Sequence, residues 1–223
     1  MTDNATGQGH NSVRRTPDEI AARIAQDIPD GFYVNLGIGQ PEKVANHVPS
    51  EREVVLHSEN GILGFGPTPA DADIDHDLIN AGKKPVTLKD GGSFFHHADS
   101  FAMIRGGHID LCVLGAYQVA ENGDLANWST GKTDDVPGVG GAMDLAAGAK
   151  RIFVMMTHTT KDGAPKLVDR LTYPATARGV VKRVYTDLAV LDVVDGGFQL
   201  VEAVEGLSLE DLRARTGATI HTP

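Results

Sequence analysis

One cysteine in 223 residues, Cys112, rules out an intrachain disulfide and any cysteine-rich zinc site built within one chain. Basic residues are also in deficit. Twenty Lys and Arg stand against 30 Asp and Glu, a formal net charge of -10, which opposes attraction to polyphosphate or to an anionic bilayer. Nucleic acid and membrane are therefore both disfavoured as partners. No stretch approaches the roughly 20 consecutive apolar residues that a bilayer crossing needs, and residues 1–15 are polar, without an apolar signal core. These absences point to a reducing, cytoplasmic setting and a loose N-terminal tail over residues 1–15. There is no fixed-period repeat and no break in composition, so a single domain is expected over residues 16–223.

The remaining chain is 41% hydrophobic, enough for one substantial core. Thr16-Pro17-Asp18-Glu19 carries a capping box with proline at the first helical position, predicting a helix to about Asp27. Pro29-Asp30-Gly31 turns into the apolar run Phe32 to Leu36, and Gly37-Ile38-Gly39 leads to a predicted helix near Pro41. Short apolar runs recur at Glu53 to Leu56, Ile109 to Leu114 and Arg151 to Met156, separated by glycine turns and helix-compatible segments. This rhythm predicts an α/β fold: a single open, mainly parallel but mixed sheet flanked by helices. Tyr185 to Val194 and Phe198 to Ala203, joined through Asp195-Gly196-Gly197, predict a hairpin. Ser208 starts a last short helix, which Gly217 is placed to end.

Two segments could carry chemistry. His57-Ser58-Glu59-Asn60-Gly61 places an acid just past a predicted strand, where open α/β sheets build their sites, although the same residue types also suit an ordinary strand-ending turn. Gly138-Val139-Gly140-Gly141 enters a predicted helix running towards Ala149. Its amides could donate to an oxyanion, or its glycines could simply allow close packing. His96, His97 and His108 near Asp99 raise the alternative of a metal site, but their spacing matches no HExxH pattern. Gly37-Ile38-Gly39 raises that of a nucleotide-binding module, but it lacks the third glycine of the dinucleotide fingerprint and the Lys-Ser/Thr ending of a P-loop.

Seven ordered blocks resemble the B subunit of family I coenzyme A transferases, the 3-oxoacid group: VNLGIG from Val34, SENGILGFGP from Ser58, DLINAGK from Asp77, SFAMIRGGHIDL from Ser100, GDLANW from Gly123, GGAMDLAAGAK from Gly140 and TDLAVLDV from Thr186. FFHHADSF from Phe94 and VPGVGGAMDLA from Val136 resemble the 3-oxoadipate branch more than the acetoacetate branch. The resemblance implies Glu59 as covalent nucleophile and an oxyanion-binding amide at Gly141, with Gly140 as its neighbour. It implies succinyl-CoA and a 3-oxoacid as substrates, with coenzyme A itself a substrate and no cofactor or metal. It further implies a partner chain, the CoA-transferase A subunit, that completes the site in a heterodimer or heterotetramer. Asn60 and Arg105 are further substrate-binding candidates. Arg offers bidentate recognition of a carboxylate, against the plainer reading of an ion pair or helix-terminus contact. A noncatalytic regulatory or scaffold protein is the alternative from another class, and the retained Glu59 block speaks against it.

Overall fold

The computed structural model describes residues 14–132 and 136–222. In chain order the elements are helix α1 (Pro17–Gln26), strands β1 (Tyr33–Leu36), β2 (Val55–Ser58), β3 (Ile62–Phe65) and β4 (Leu88–Phe94), helix α2 (His97–Arg105), and strands β5 (Leu111–Gly115), β6 (Gln118–Ala120) and β7 (Leu125–Ala126). Then come helix α3 (Ala142–Gly148), strands β8 (Ile152–Met155), β9 (Leu167–Val168), β10 (Val181–Tyr185), β11 (Ala189–Val194) and β12 (Gly197–Ala203), helix α4 (Leu209–Ala214) and strand β13 (Ile220–His221). Ten strands form one open sheet in the order β13-β12-β11-β10-β8-β5-β1-β2-β3-β4, and β7-β6-β9 form a small second sheet.

The five central strands, β2, β1, β5, β8 and β10, run parallel, and antiparallel pairs flank them on both sides. Sequence explains the centre directly. Along β5, Leu111 and Val113 enter one core while Cys112 and Leu114 enter the other; along β8, Phe153 and Met155 alternate in the same way with Ile152 and Val154. A strand buried on both faces reads as one continuous apolar run, as these do. Helix α1 covers one face through Ile20, Ile24 and Ala25. The other face is covered by α2, α3, α4 and the small sheet through Ile104, Leu145, Leu212, Val119 and Leu167. No helix among the described residues is long and apolar enough to cross a membrane.

The capping box at Thr16 forms as expected, with Glu19 closing it. Residues 1–13 of the expected tail lie outside the described residues. Arg14 and Arg15 are held to the fold: Arg14 Nη1 lies 2.7 Å from Asp187 Oδ2, the Arg15 amide donates to the Asp187 carbonyl at 2.9 Å, and the Arg15 guanidinium pairs with Glu202. The helix expected near Pro41 is a 3-10 helix, Gln40–Asn46. The run expected from Tyr185 to Val194 is split, because Thr186 Oγ1 accepts from the amides of Leu188 and Ala189 and turns the chain between β10 and β11. Gly217 does not cap α4, which ends at Ala214; its amide donates instead to the Leu167 carbonyl, tying the C-terminal segment to the small sheet.

Two buried histidines tie stability to pH. Burial holds His57 and His158 at about 4, down from 6.5, with Asp187 pulling His158 the other way. The unfolded chain therefore takes up protons between pH 6.5 and 4 that the folded chain refuses. Stability present above 6.5 is lost as pH falls through that window, on the order of 3 kcal/mol per histidine. Urea midpoints should drop from pH 7 to pH 4.5, and His158→Gln should flatten part of the slope. A pH-independent midpoint would contradict neutral burial.

Candidate active site

Four neighbouring parallel strands end on one cavity of about 500 Å3. Its lining includes Gly37 and Ile38 beyond β1, Glu59 beyond β2, Leu114 and Gly115 of β5, and Met155, Met156 and Thr157 at the end of β8. Carboxyl ends of parallel strands are where open α/β sheets leave a crevice. Opposite them, Gly138 to Ala142 and Leu145 bring in the entrance of α3, while Gln40 and Pro41 come from the 3-10 helix.

Glu59 sits in the hairpin joining β2 to β3, so the strand-end turn expected from its neighbours does form. The turn is tightly specified. Gly61 has φ +112°, and a Cβ there would collide with the Phe95 carbonyl oxygen, so only glycine lets the chain turn under β4. Glu59 Oε2 is buried and has no hydrogen-bond partner among the described residues. Burial pushes this carboxyl above its ordinary value; the Asn35 amide and His97 oppose the rise, and Glu42 adds to it.

Behind Glu59 runs a buried polar row. Asn35 of β1 is in register with His57 of β2 on one side and Cys112 of β5 on the other. The Asn35 amide donates to His57 Nδ1 at 3.1 Å, so the proton of this neutral imidazole sits on Nε2 and points to Ser100 Oγ of α2 at 2.9 Å. Cys112 Sγ donates to Asn35 Oδ1 at 3.5 Å, and burial, with Glu59 nearby, pushes its thiol well up. Sequence reasoning misses Asn35, His57 and Ser100 as members of the site. The available signal is Asn35 and His57, polar residues among the apolar neighbours Val34, Leu36, Val55 and Leu56.

The two sequence segments meet. A Cβ on Gly141 would lie 3.7 Å from Glu59 Oε1 and 2.8 Å from the Phe101 ring, so this glycine lies against both the acid and α2. Gly140 lines the same cavity with φ +48° and open space around it. Two other candidates stand elsewhere. Asn60 Nδ2 donates to the Ile79 carbonyl at 2.8 Å and does not line the cavity. Arg105 reaches Asp144 through two bonds of 2.7 and 3.1 Å and lies over Phe101, outside the cavity lining. Its bidentate geometry thus serves an ion pair between α2 and α3. His96 caps α2 through Nδ1, and His97 packs on Phe101. Among the described residues no three His, Cys, Asp or Glu side chains are grouped to hold a metal ion.

Fold and cavity together define an open α/β protein whose pocket holds one half-buried acid against a glycine-rich helix entrance. Residues 18–212 match the family described as coenzyme A transferase. The chain is 62% identical over 205 residues, 92% of its length and 94% of the relative's, to the B subunit of 3-oxoadipate CoA-transferase from Acinetobacter baylyi. It is 49% identical over 201 residues, 90% of its length and 96% of the relative's, to the B subunit of succinyl-CoA:3-ketoacid coenzyme A transferase from Helicobacter pylori. A solved acyl-CoA transferase of Escherichia coli O157:H7 shares the fold, with TM-score 0.72 at 21% identity. The match covers 94% of this chain but 42% of that one, so the chain spans less than half of that protein. The chain belongs to the coenzyme A transferase family.

The Gly61 collision predicts an unequal pair of substitutions. Gly31 also has positive φ, +75°, but a Cβ there meets nothing within 4 Å. Gly31→Ala should cost about 1 kcal/mol from conformation alone, whereas Gly61→Ala should cost on the order of 3 kcal/mol, since the hairpin itself must shift. Denaturant midpoints compare the two, and equal losses would refute the steric role of Gly61.

Proposed function

We propose that this chain is the nucleophile-bearing half of a transferase that moves coenzyme A from succinyl-CoA to 3-oxoadipate through a covalent adduct on Glu59. The observation that carries this is the placement of Glu59: a half-buried carboxylate with one oxygen unbonded, at the carboxyl end of a central strand, against Gly141 and facing the cavity. Such a group needs no general base, since a carboxylate above its pKa is already an anion. Catalysis then depends on positioning and on stabilising charge in the transition state. Partial desolvation supports this by stripping water from the attacking oxygen.

In the first half-reaction a Glu59 oxygen attacks the thioester carbonyl of succinyl-CoA, the carbon–sulfur bond breaks, and a mixed anhydride and CoA thiolate form. The thiolate attacks the Glu59 carbonyl carbon, and succinate leaves with the bridging oxygen. The remaining glutamyl-CoA thioester keeps the energy of the donor. The incoming 3-oxoacid carboxylate reverses both steps and leaves as its CoA ester, restoring Glu59. No electron, metal or ATP enters this balance, and coenzyme A is a substrate. Each addition develops an oxyanion, for which the backbone amide of Gly141, with Gly140 beside it, is the proposed donor; such a donor is worth about 3 to 4 kcal/mol.

A second polypeptide is part of the proposal. Relatives on both sides of the substrate question are named as B subunits, which supports a separate A subunit completing the enzyme. Ile38 and Val139 line the cavity yet stay exposed, at 61% and 44%, an apolar rim suited to a partner that closes the mouth. The higher identity to the 3-oxoadipate relative supports that acid as acceptor over acetoacetate.

With its A subunit, the chain should turn over 3-oxoadipate with a higher kcat/KM than acetoacetate, and alone it should be inactive. The reverse preference would move the assignment to the ketoacid group. With succinyl-CoA and no acceptor, CoA should accumulate on Glu59; borohydride reduction followed by peptide mass spectrometry locates it, and Glu59→Gln should give no adduct. Near-normal turnover by Glu59→Gln in an assembled complex, free of wild-type and deamidated protein, would reject this nucleophile. Because burial raises the Glu59 carboxyl, the acid limb of kcat/KM should fall at higher pH than for an exposed glutamate; a limb at the ordinary position would contradict a desolvated nucleophile.

A further inference from the structure

The cavity contains one cation whose role is unassigned. Among its described lining residues Lys166 is the one basic side chain, sharing the space with Glu59 and an apolar wall of Leu114, Ala116, Leu145, Met155 and Met156. The backbone of Lys166 is fixed on both sides. Its amide donates to the His158 carbonyl at 3.1 Å, and its carbonyl accepts from the Val119 amide at 3.0 Å, which places it immediately before β9 of the small sheet. The ammonium itself is weakly held. Its one hydrogen bond among the described residues is to Thr157 Oγ1, at 3.5 Å, the outer limit for such a contact, and no carboxylate of the described residues lies within ion-pair distance. Asp187 acts on it from a distance while bonded to Arg14 and to the His158 amide. Lys166 is half-buried and burial pulls its amine down to about 8, although its contact with Thr157 stays open to solvent.

An ammonium with one long hydrogen bond and no ion pair among the described residues, on the wall of a largely apolar cavity, is free to take an anion from outside. The ligand proposed above supplies one. A succinyl or 3-oxoadipyl group carries a second carboxylate at the end away from the reacting carbon, and that carboxylate must enter a cavity already holding the Glu59 anion, on a chain of net charge -10. Without a countercharge it would be repelled. Arg105, a candidate for this role from sequence, is committed to Asp144 outside the cavity.

We propose that Lys166 binds the distal carboxylate of a dicarboxylic acyl group in this cavity and thereby selects dicarboxylic over monocarboxylic acids. The proposal rests on the Glu59 transfer reading above. It gives the small sheet a purpose, that of holding an ammonium in the cavity beside Thr157 at the end of β8.

The test uses the assembled two-chain enzyme with Lys166→Met, which keeps most of the stem and removes the charge, and with Lys166→Arg, which keeps the charge. Initial rates are measured with 3-oxoadipate and with acetoacetate as acceptors. Lys166→Met should lower the dicarboxylate-to-monocarboxylate ratio of kcat/KM by at least about tenfold, chiefly through KM for the dicarboxylate, and Lys166→Arg should recover part of it. An equal loss on both acids, or an unchanged ratio, overturns the proposal, since a merely structural lysine would not discriminate between them. If acetoacetate turnover is too slow to measure, inhibition by free succinate against butyrate gives the same ratio: selective weakening of succinate supports the role and parallel weakening refutes it. A wild-type enzyme that forms no Glu59 adduct from succinyl-CoA fails the transfer reading itself. An intact adduct with unaltered acid selectivity in Lys166→Met fails this proposal alone.

Discussion

The hydrogen bond from Asn35 to His57 is the interaction on which the site most depends. It joins two central parallel strands inside a core that offers no water, at a register position where Cys112 completes the row on the next strand and Ser100 closes it from α2. A buried polar row of this kind contributes little net stability when complete and costs heavily when one member is lost, because each remaining group is left unpaired. Its value lies in position. It fixes the end of β2 two residues before Glu59, and it sets an amide beside a carboxylate that burial would otherwise push towards its neutral form.

Much of the scaffold was legible in the sequence because its centre obeys simple rules. Strands buried on both faces tend to be apolar runs, and β5 and β8 announce themselves as such; the first helix shows its cap and proline. Misreadings fall where tertiary contacts outweigh local pattern. Segment 62–65, Ile-Leu-Gly-Phe, is too short and too close to flanking glycines to read as a strand alone, yet Ile62 and Phe65 bury and pull it into the sheet as β3. The short strands of the small sheet, two or three residues each, are too brief for any periodicity to reveal. Thr186 looks like a strand residue until its hydroxyl gathers two amides and ends β10.

The site was legible in a different way. Glu59 and the Gly140-Gly141 turn stood out through their resemblance to a family, and the fold brings them together across about 80 residues of chain. Arg105 looked suitable by chemistry, but its partner Asp144, on the facing helix, could not be seen from spacing. Lys166 had no sequence signal, since a lysine in a loop is ordinary until a cavity forms around it. Residues whose role depends on company from distant strands are the ones that a linear reading loses.

The strand order has a consequence for the nascent chain. Strand β1 lies between β2 and β5, yet β5 begins 75 residues after β1 ends, so during synthesis the hydrogen-bonding edge of β1 is complete long before its second neighbour exists. The same holds further along, where β8 waits for β10 while β9 and its loops are made. Each interval leaves an apolar strand edge open, the kind of surface that pairs with another chain when its own partner is late. For this fold, the stretch from Leu36 to Leu111 is the longest interval over which a strand edge of the large sheet waits for its neighbour.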